Sequence, residues 1–290
     1  MGNSRAVLLM VLSMAAFAIG DAMVKMSSGN MSIAQILIFM SLPGLAIFTT
    51  LAHRAGQSPF SRDFFAWPVL LRNGIESLAA LCMVSALALA PLALVISITQ
   101  AVPLFVTIGA ALILKEQVGP RRWIAVLAGF CGVLLMLRPS TAGISVGAAL
   151  ALGAAVFLAG RDIITRAMPM RIGTLQMATW GTAAMIPAGL IMLPFTGPHE
   201  APGLSAWSIV IAASLANAAG YYSITAAMRM GDVSFVTPFR YSRLIFALVI
   251  AVLFFQERPD ALTLLGAAIV IGSGLFVMWR ERKARVSDNI

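Results

Sequence analysis

The sequence predicts an all-α integral membrane protein in which ten transmembrane helices form two inverted five-helix repeats around a central cavity. Hydrophobic residues make up 60% of the 290-residue chain and charged residues only 11%, against roughly 25% charged residues in soluble domains. A soluble protein of this length could not bury so much apolar surface, because too many of its residues face water. An internal repeat with a constant offset of 141 residues predicts the two-fold architecture.

Ten apolar segments are long enough to cross a bilayer, which takes about 20 residues of helix. Short connections rich in Gly, Pro, Ser and Asn separate them, as expected of turns. No run of about ten alternating apolar and polar residues occurs, which argues against a β-barrel. The predicted spans are residues 6–25, 33–52, 68–89, 93–114, 122–138, 144–165, 173–194, 205–229, 233–255 and 261–279.

The basic residues predict the orientation. With a cytoplasmic N-terminus, most Lys and Arg residues fall on the inner side, and only Lys25, Arg138 and Arg258 fall on the outer side. Both termini are therefore predicted to be cytoplasmic, in a bacterial-type inner membrane, with residues 281–290 as a basic tail. The net charge of +9 is assigned to anionic lipid headgroups rather than nucleic acid, because the basic residues occupy short loops. The inner residues are Arg5, Arg54, Arg62, Lys115, Arg121, Arg122, Arg161, Arg166, Arg171, Arg229, Arg280, Arg282, Lys283 and Arg285.

The repeat becomes visible when the chain is shifted by 141 residues, because four features then coincide at matching places in their spans. The predicted repeats are residues 3–139 and 144–280. Five is an odd number, so the second copy must cross the membrane in the opposite sense, as in the inverted repeats of many secondary transporters. The coinciding features are Asp21/Lys25 with Asp162/Arg166, Gln35 with Gln176, Phe105 with Phe246, and Glu116 with Glu257.

Short motifs also occur in a fixed order and spacing in each copy. They are Ala90–Leu94, Thr99–Phe105, Lys115–Glu116 and Gly129–Val133 in the first copy, and Gly231–Ser234, Pro238–Tyr241, Gln256–Pro259 and Gly272–Leu275 in the second. In this arrangement they resemble the fourth and fifth helices of the EamA-type repeat. Over nearly the whole chain the sequence is similar to the drug/metabolite transporter superfamily, and its size and layout look most like bacterial exporters of aromatic and other amino acids.

The resemblance implies alternating access, a small-molecule substrate and no prosthetic group. It leaves two functions open: export of amphipathic amino acids or related small metabolites, and uptake of a nucleotide-like or vitamin-like metabolite. Proton coupling, through Glu76 or Asp21, and facilitated diffusion both stay open. A membrane-embedded lipid enzyme or a channel is a different class, and the sequence lacks the usual catalytic and paired metal-ligand motifs. One chain contains both repeats, so a monomer or weak homo-oligomer is expected.

Charged residues inside the apolar layer are functional candidates, because an unpaired charge there is costly. Arg72 and Glu76 lie four residues apart on one face of the third span. Arg72 and Glu76 either pair with each other, or Glu76 faces Arg240 across the cavity. The second arrangement is possible because Glu76 and Arg240 are each about 10–12 Å from the same membrane edge. In that arrangement Glu76 and Arg240 pair, or bind the ammonium and carboxylate of a substrate.

Two further pairs lie at the ends of matching spans. Asp21 with Lys25 and Asp162 with Arg166 have the i,i+4 spacing of helical ion pairs. They act either as anchors, with basic groups reaching the membrane surface, or as a gate.

Glu116 and Glu257 close the fourth and ninth spans. A carboxylate at a helix C-terminus opposes the helix dipole. Each is therefore expected to have a partner, such as a basic loop residue, and a structural or gating role.

Neutral polar residues lie nearer the middle of the membrane, where interhelical hydrogen bonding and ligand contact are both common roles. Pro103 and Pro238 are expected to kink their helices. The offset aligns Pro103 with Leu244 and Pro238 with Ser97, so the two copies differ at these kinks. The candidates for cavity contact are Thr99, Gln100, Asn217, Tyr221, Tyr241 and Ser242.

Overall fold

The computed structural model of the protein describes residues 2–59, 61–115, 118–138, 143–169, 171–196, 202–230 and 233–287. Within these residues, ten helical spans are long and apolar enough to cross a membrane. The predicted all-α, ten-span architecture is confirmed. The helices are α1 (Gly2–Ser27), α2 (Ile33–Arg54), α3 (Trp67–Leu89), α4 (Leu92–Thr99), α5 (Val102–Leu112), α6 (Pro120–Leu137), α7 (Val146–Arg166), α8 (Thr174–Met192), α9 (Leu204–Met230), α10 (Val233–Val236), α11 (Ser242–Phe255) and α12 (Ala261–Ser287).

Two matching glutamines begin matching helices. At the start of α2, the Ser32 hydroxyl accepts from the Gln35 backbone N–H, and the Gln35 side chain accepts from the Ser32 N–H. At the start of α8, Gln176 accepts from the Gly173 N–H in the same way. A capping box satisfies backbone donors that a helix start leaves without intrahelical partners. This shared role gives the coincidence of Gln35 and Gln176 a physical reason.

The fourth and ninth spans are broken in the middle, where the sequence predicted continuous helices with kinks. The fourth span divides into α4 and α5 at Gln100 and Ala101. The ninth consists of α10, a 3₁₀ turn over Thr237–Tyr241, and α11. Pro103 lies in the first turn of α5, and Pro238 is the second residue of the 3₁₀ turn. At both places a missing N–H removes no intrahelical bond.

The two repeats pack against each other in exchanged pairs. Helix α1 lies along α9 and α3 lies along α7, while α2 packs on α8 and α6 on α12. The 141-residue offset converts α1 into α7 and α3 into α9, so the first two contacts are equivalent. Close approach is direct at α6 and α12, where a Cβ on Gly132 would lie 2.7 Å from the Gly266 carbonyl oxygen. The exchange is the packing expected of an approximate two-fold axis between the repeats.

The C-terminal end of α1 and the N-terminal end of α7 lie on the same side of the bundle. The Lys25 ammonium near the end of α1 donates to the Ala90 carbonyl, and Gly147 at the start of α7 packs on Ala90. The first helix of the second repeat therefore starts where the first helix of the first repeat ends, which is the inverted arrangement. We call this side the Lys25 face and the side where α2 ends at Arg54 the Arg54 face.

Loop contacts between the repeats cover part of the Arg54 face. The Gln176 amide donates to the Ser58 carbonyl at 2.6 Å, and the Trp180 indole donates to the Pro59 carbonyl at 2.8 Å. Arg171 donates to Asp63 at 2.9 Å, and this hydrogen bond holds the pKa of the Asp63 carboxyl below its usual range. Each contact joins a residue of the first repeat to one of the second.

Candidate functional site

The two broken spans meet at equivalent residues. The Gln100 side-chain amide donates to the Tyr241 carbonyl at 3.4 Å, and 141 residues separate the two positions. A contact between equivalent residues lies on the axis that relates the repeats. Broken helices at such an interface are the usual setting of transporter substrate sites, because the position is equally reachable from both faces.

One ion pair beside this axis joins the first and ninth spans. The Arg243 guanidinium donates to one oxygen of Asp21 through Nη2 at 2.6 Å and through Nε at 3.1 Å. It also lies over the Phe17 ring, 5.4 Å from the centroid. Asp21 is buried, and a buried carboxylate needs such a partner to stay charged. The pair ties α1 of one repeat to α11 of the other.

A second charge network joins α3 and α7. Glu76 lies 2.6 Å from Arg72 and 3.1 Å from Arg161, and Arg161 also donates to Asp162 at 2.7 Å. Arg72 continues the network to α8, where it donates to the Met177 carbonyl at 3.3 Å. The network alternates positive and negative groups across three helices, which lowers the cost of holding each charge away from bulk water.

Arg240 is the fourth residue of the 3₁₀ turn Thr237–Tyr241 and precedes Tyr241, whose carbonyl accepts from Gln100. It lies deep among protein atoms, yet its side chain is exposed. Its charged neighbours include Asp162, Arg161 and Arg243, and within the described part of the chain it forms no ion pair.

The turn between α3 and α4 is held from both sides on the Lys25 face. Glu257 accepts hydrogen bonds from the backbone N–H groups of Leu92 and Ala93, at 2.7 and 3.1 Å. Lys25 donates to the Ala90 carbonyl at 2.6 Å and lies 3.5 Å from Glu257. The carboxylate thus meets the positive start of α4, and the ammonium meets the negative end of α3. We call Lys25, Glu257 and this turn the Lys25–Glu257 clamp.

The predicted pairs within single helices are partly wrong. Arg72 and Glu76 do pair, but Asp21 pairs with Arg243 and Lys25 with Glu257 instead of with each other. Both side chains of α1 find partners across the repeat interface, which offers stronger and more enclosed contacts than an i,i+4 pair, worth about 0.5 kcal/mol at most.

The other two predicted pairings are wrong as well. Asp162 pairs with its neighbour Arg161, while Arg166 is exposed at the end of α7. Arg161 is drawn inward because it bridges two carboxylates, Asp162 and Glu76. Glu76 is thereby occupied and does not pair with Arg240 within the described residues.

The two closing glutamates have different outcomes. Glu257 does have a basic partner, but Lys25 belongs to a helix rather than to a loop. From the sequence, the Glu257 carboxylate was expected to oppose the dipole of its own span. In the structure it lies at the N-terminus of α4, where the helix dipole favours a negative charge. Glu116 lies outside the described residues.

Some of the neutral candidates lie at the axis, and others make hydrogen bonds that hold helices together. Gln100 and the Tyr241 backbone lie at the axis, and Ser242 begins α11 beside them, with its hydroxyl donating to the Phe239 carbonyl. Asn217 is half-buried against Gly20, next to Asp21 in the chain. The other two serve packing: Thr99 is buried and donates to the Ile96 carbonyl, and Tyr221 donates to the Thr174 carbonyl of α8.

Sequence reasoning missed Arg161 and Arg243. Arg161 was counted among inner loop cations, and it instead lies inside α7 between two carboxylates. Arg243 is not among the site residues that the sequence predicted. Its position in the apolar ninth span was the available signal, since a charge there implies a buried partner.

The chain has clear relatives among known proteins. It is 31% identical to a riboflavin transporter of Vibrio cholerae over 67% of this chain, an alignment that spans 65% of that protein. It is 29% identical to the pseudopaline exporter CntI of Pseudomonas aeruginosa over 91% of this chain and 93% of that protein. An S-adenosylmethionine uptake transporter of Rickettsia prowazekii is 27% identical, over 70% of this chain and 68% of that protein.

The fold and the family agree with these relatives. A solved protein crystal structure matches 97% of this chain and 99% of its own length with a TM-score of 0.67 at 20% identity, which supports the ten-helix fold alone. The model of the EamA-like transporter family matches residues 4–138 and again residues 145–279. The two matches cover nearly the whole chain, one after the other, and the relatives are named as transporters rather than enzymes. This multi-pass membrane protein therefore belongs to the EamA-like transporter family and is a transporter.

Proposed function

We propose that this transporter is a secondary carrier or facilitator that exports amphipathic amino acids or related small metabolites by alternating access. The observation that carries the proposal is the contact between Gln100 and Tyr241, where the two broken spans meet on the axis between the repeats. A substrate bound there is released to either side when one repeat rocks against the other.

The proposed cycle opens and closes the two faces in turn. The Lys25–Glu257 clamp and the pair Arg138–Asp260 link the repeats on the Lys25 face, and the loop contacts through Gln176 and Trp180 link them on the Arg54 face. We assign the Arg54 face to the cytoplasm by the positive-inside rule, in a bacterial inner membrane, with both termini inside. Export then requires the clamp to break after the substrate enters from the Arg54 face.

The chemistry around the axis suits a substrate with polar and apolar parts. Arg240 precedes Tyr241, whose carbonyl accepts from the neutral Gln100, and Asp162 is among the charged neighbours of Arg240. An amino acid carries an ammonium and a carboxylate close together, and an opposite pair of protein charges binds both. The export direction is supported by similarity to the pseudopaline exporter, which extends over most of both chains.

A second candidate is uptake of a vitamin-like or nucleotide-like metabolite. The names of two groups of relatives favour it, the riboflavin transporters and the S-adenosylmethionine uptake transporters. The same fold and the same axial site serve this candidate, so only the substrate and the direction separate it from amino-acid export.

Counterflow in proteoliposomes tests both candidates. Vesicles are preloaded with unlabelled amino acids, and entry of labelled phenylalanine, threonine and methionine is followed; parallel vesicles are preloaded with riboflavin or S-adenosylmethionine. We expect saturable entry of at least one amino acid. Saturable entry of only riboflavin or S-adenosylmethionine would replace the first candidate with the second. Gln100→Ala is expected to slow entry, whereas Thr50→Ala, at an exposed residue of α2, serves as the control.

A further inference from the structure

The charged groups inside the membrane spans do not balance. Away from the helix ends, the described spans hold four arginines and three carboxylates. Each carboxylate has an arginine within ion-pair distance. The seven residues are Arg72, Arg161, Arg240, Arg243, Asp21, Glu76 and Asp162.

Arg240 is the surplus positive charge. Arg243 is committed to Asp21 through two hydrogen bonds, and Glu76 is committed to two other arginines. Asp162 attracts Arg240 but is bonded to Arg161, while Arg161 and Arg243 repel it. Away from bulk water, a guanidinium in these surroundings is stabilised by any added anion that reaches it.

The position of Arg240 matches that of a substrate group. It precedes Tyr241, whose carbonyl accepts the Gln100 hydrogen bond on the axis. Its side chain is accessible although many protein atoms surround it, so a ligand can reach it. The equivalent position in the first repeat is Thr99, which is buried and bonded to its own helix. The cation is therefore present on one side of the axis only.

From these observations we propose that the transported substrate presents an anionic group, a carboxylate or a phosphate, to Arg240. The guanidinium offers two parallel N–H donors that fit either group. Binding neutralises the surplus charge at the axis and lets the loaded carrier change face without an unpaired cation. The inference rests on the proposed transport function and specifies one chemical property of its substrate.

Matched ligands that differ only in this group test the proposal. Thermal unfolding of the purified protein in detergent is measured with phenylalanine against phenylalaninamide, nicotinate against nicotinamide, and phenyl phosphate against phenol. We expect at least one acidic member to stabilise the wild-type protein with an apparent affinity at least about tenfold higher than that of its partner. The proposal is overturned if no acidic member stabilises the protein more than its partner does.

Variants connect that selectivity to the residue. Arg240→Gln is expected to reduce the acid preference to within about twofold, because the surplus charge is gone, and Arg240→Lys to retain part of it. Arg121→Gln makes the same charge change at an exposed residue at the start of α6 and is expected to keep the full preference. An unaltered preference in Arg240→Gln would overturn the assignment. If that variant does not fold, the wild-type comparison and Arg240→Lys decide.

Counterflow with the same pairs separates this inference from the proposed function. Equal entry of an acid and its amide, with transport intact, removes the role of Arg240 and leaves the transport function standing. Acid-selective stabilisation without entry of any amino acid has the opposite meaning: it supports the anion site and removes amino-acid export.

Discussion

The two broken spans occupy equivalent places in the two repeats, yet their chemistry differs. The fourth span, in the first repeat, is neutral at its break, where Gln100 and Ala101 separate α4 from α5. The ninth span, in the second repeat, carries Arg240 and Arg243 around its break between α10 and α11. Each repeat has one helix break, but both of these arginines lie in the second repeat. The architecture is thus symmetric, whereas charge recognition is asymmetric.

The matching aspartates show what the difference does. Asp21 and Asp162 coincide at the 141-residue offset, and each lies near an arginine of the ninth span. Asp21 bonds Arg243, while Asp162 lies near Arg240 but bonds Arg161. A single broken span therefore faces both aspartates, and only one of its two arginines is tied down by an ion pair. This leaves the other for a ligand.

The largest expected loss of stability comes from replacing Arg243, the arginine that is paired with Asp21. Arg243→Met leaves the buried Asp21 carboxylate without its partner and is expected to lower the free energy of unfolding by about 3 kcal/mol. Chemical unfolding in detergent measures it. Adding Asp21→Asn to Arg243→Met is expected to restore most of the loss, since the Asp21 position then carries no charge that needs a partner.

The equivalent position in the other repeat provides the control for that change. Val102→Met alters the matching residue at the start of α5, where no charge is involved, and is expected to cost less than about 1.5 kcal/mol. Equal losses for Arg243→Met and Val102→Met would contradict the difference between the two broken spans.

The clamp is expected to give the next largest effect. Glu257→Ala removes two charge-assisted hydrogen bonds to the start of α4 and the partner of Lys25, and we expect a loss of about 2 kcal/mol. Arg258→Ala, at the next residue, is expected to change stability by less than about 0.5 kcal/mol. Thermal unfolding compares the two variants. If the loss from Glu257→Ala is no larger than that from Arg258→Ala, the clamp does not hold the turn.

A glycine on α12 tests how the second break is packed. The Tyr241 ring lies against Gly274, and a Cβ there would collide with the Tyr241 hydroxyl. Gly274→Ala is expected to cost about 1–3 kcal/mol, because a buried aromatic ring must shift. Gly272→Ala is the matched control, since a Cβ there meets nothing within 4 Å, and it is expected to be neutral or stabilising by up to about 1 kcal/mol.

Unfolding of these two alanine variants in the same detergent provides the comparison. A similar stability for both would mean that Tyr241 is not held against α12.

The smallest effect is expected at the proline of the first break. Pro103 lies in the first turn of α5, where its missing N–H removes no intrahelical bond. Pro103→Ala should therefore change the free energy of unfolding by less than about 1 kcal/mol. A larger loss would show that the proline itself, rather than the surrounding packing, maintains the break between α4 and α5.

The spans could be predicted because their cause is local: a run of about 20 apolar residues crosses a bilayer wherever it occurs. The charge partners could not be predicted in the same way. Spacing suggested Asp21 with Lys25, but both turn to the other repeat, to Arg243 and Glu257. Of the two alternatives for Glu76, the structure has the pair with Arg72, a contact within one helix that spacing alone could suggest.

The sequence by itself determined the ten apolar spans, the 141-residue repeat and its inversion, because these follow from hydropathy and from an odd number of helices. Only the tertiary structure decided which charges meet. Hydropathy measures the free energy of transferring each side chain out of water, so it can be read from the sequence one residue at a time. An ion pair depends on the distance between two residues that are far apart in the chain. The surplus charge of Arg240 became visible once Asp21, Glu76 and Asp162 were seen to have partners elsewhere.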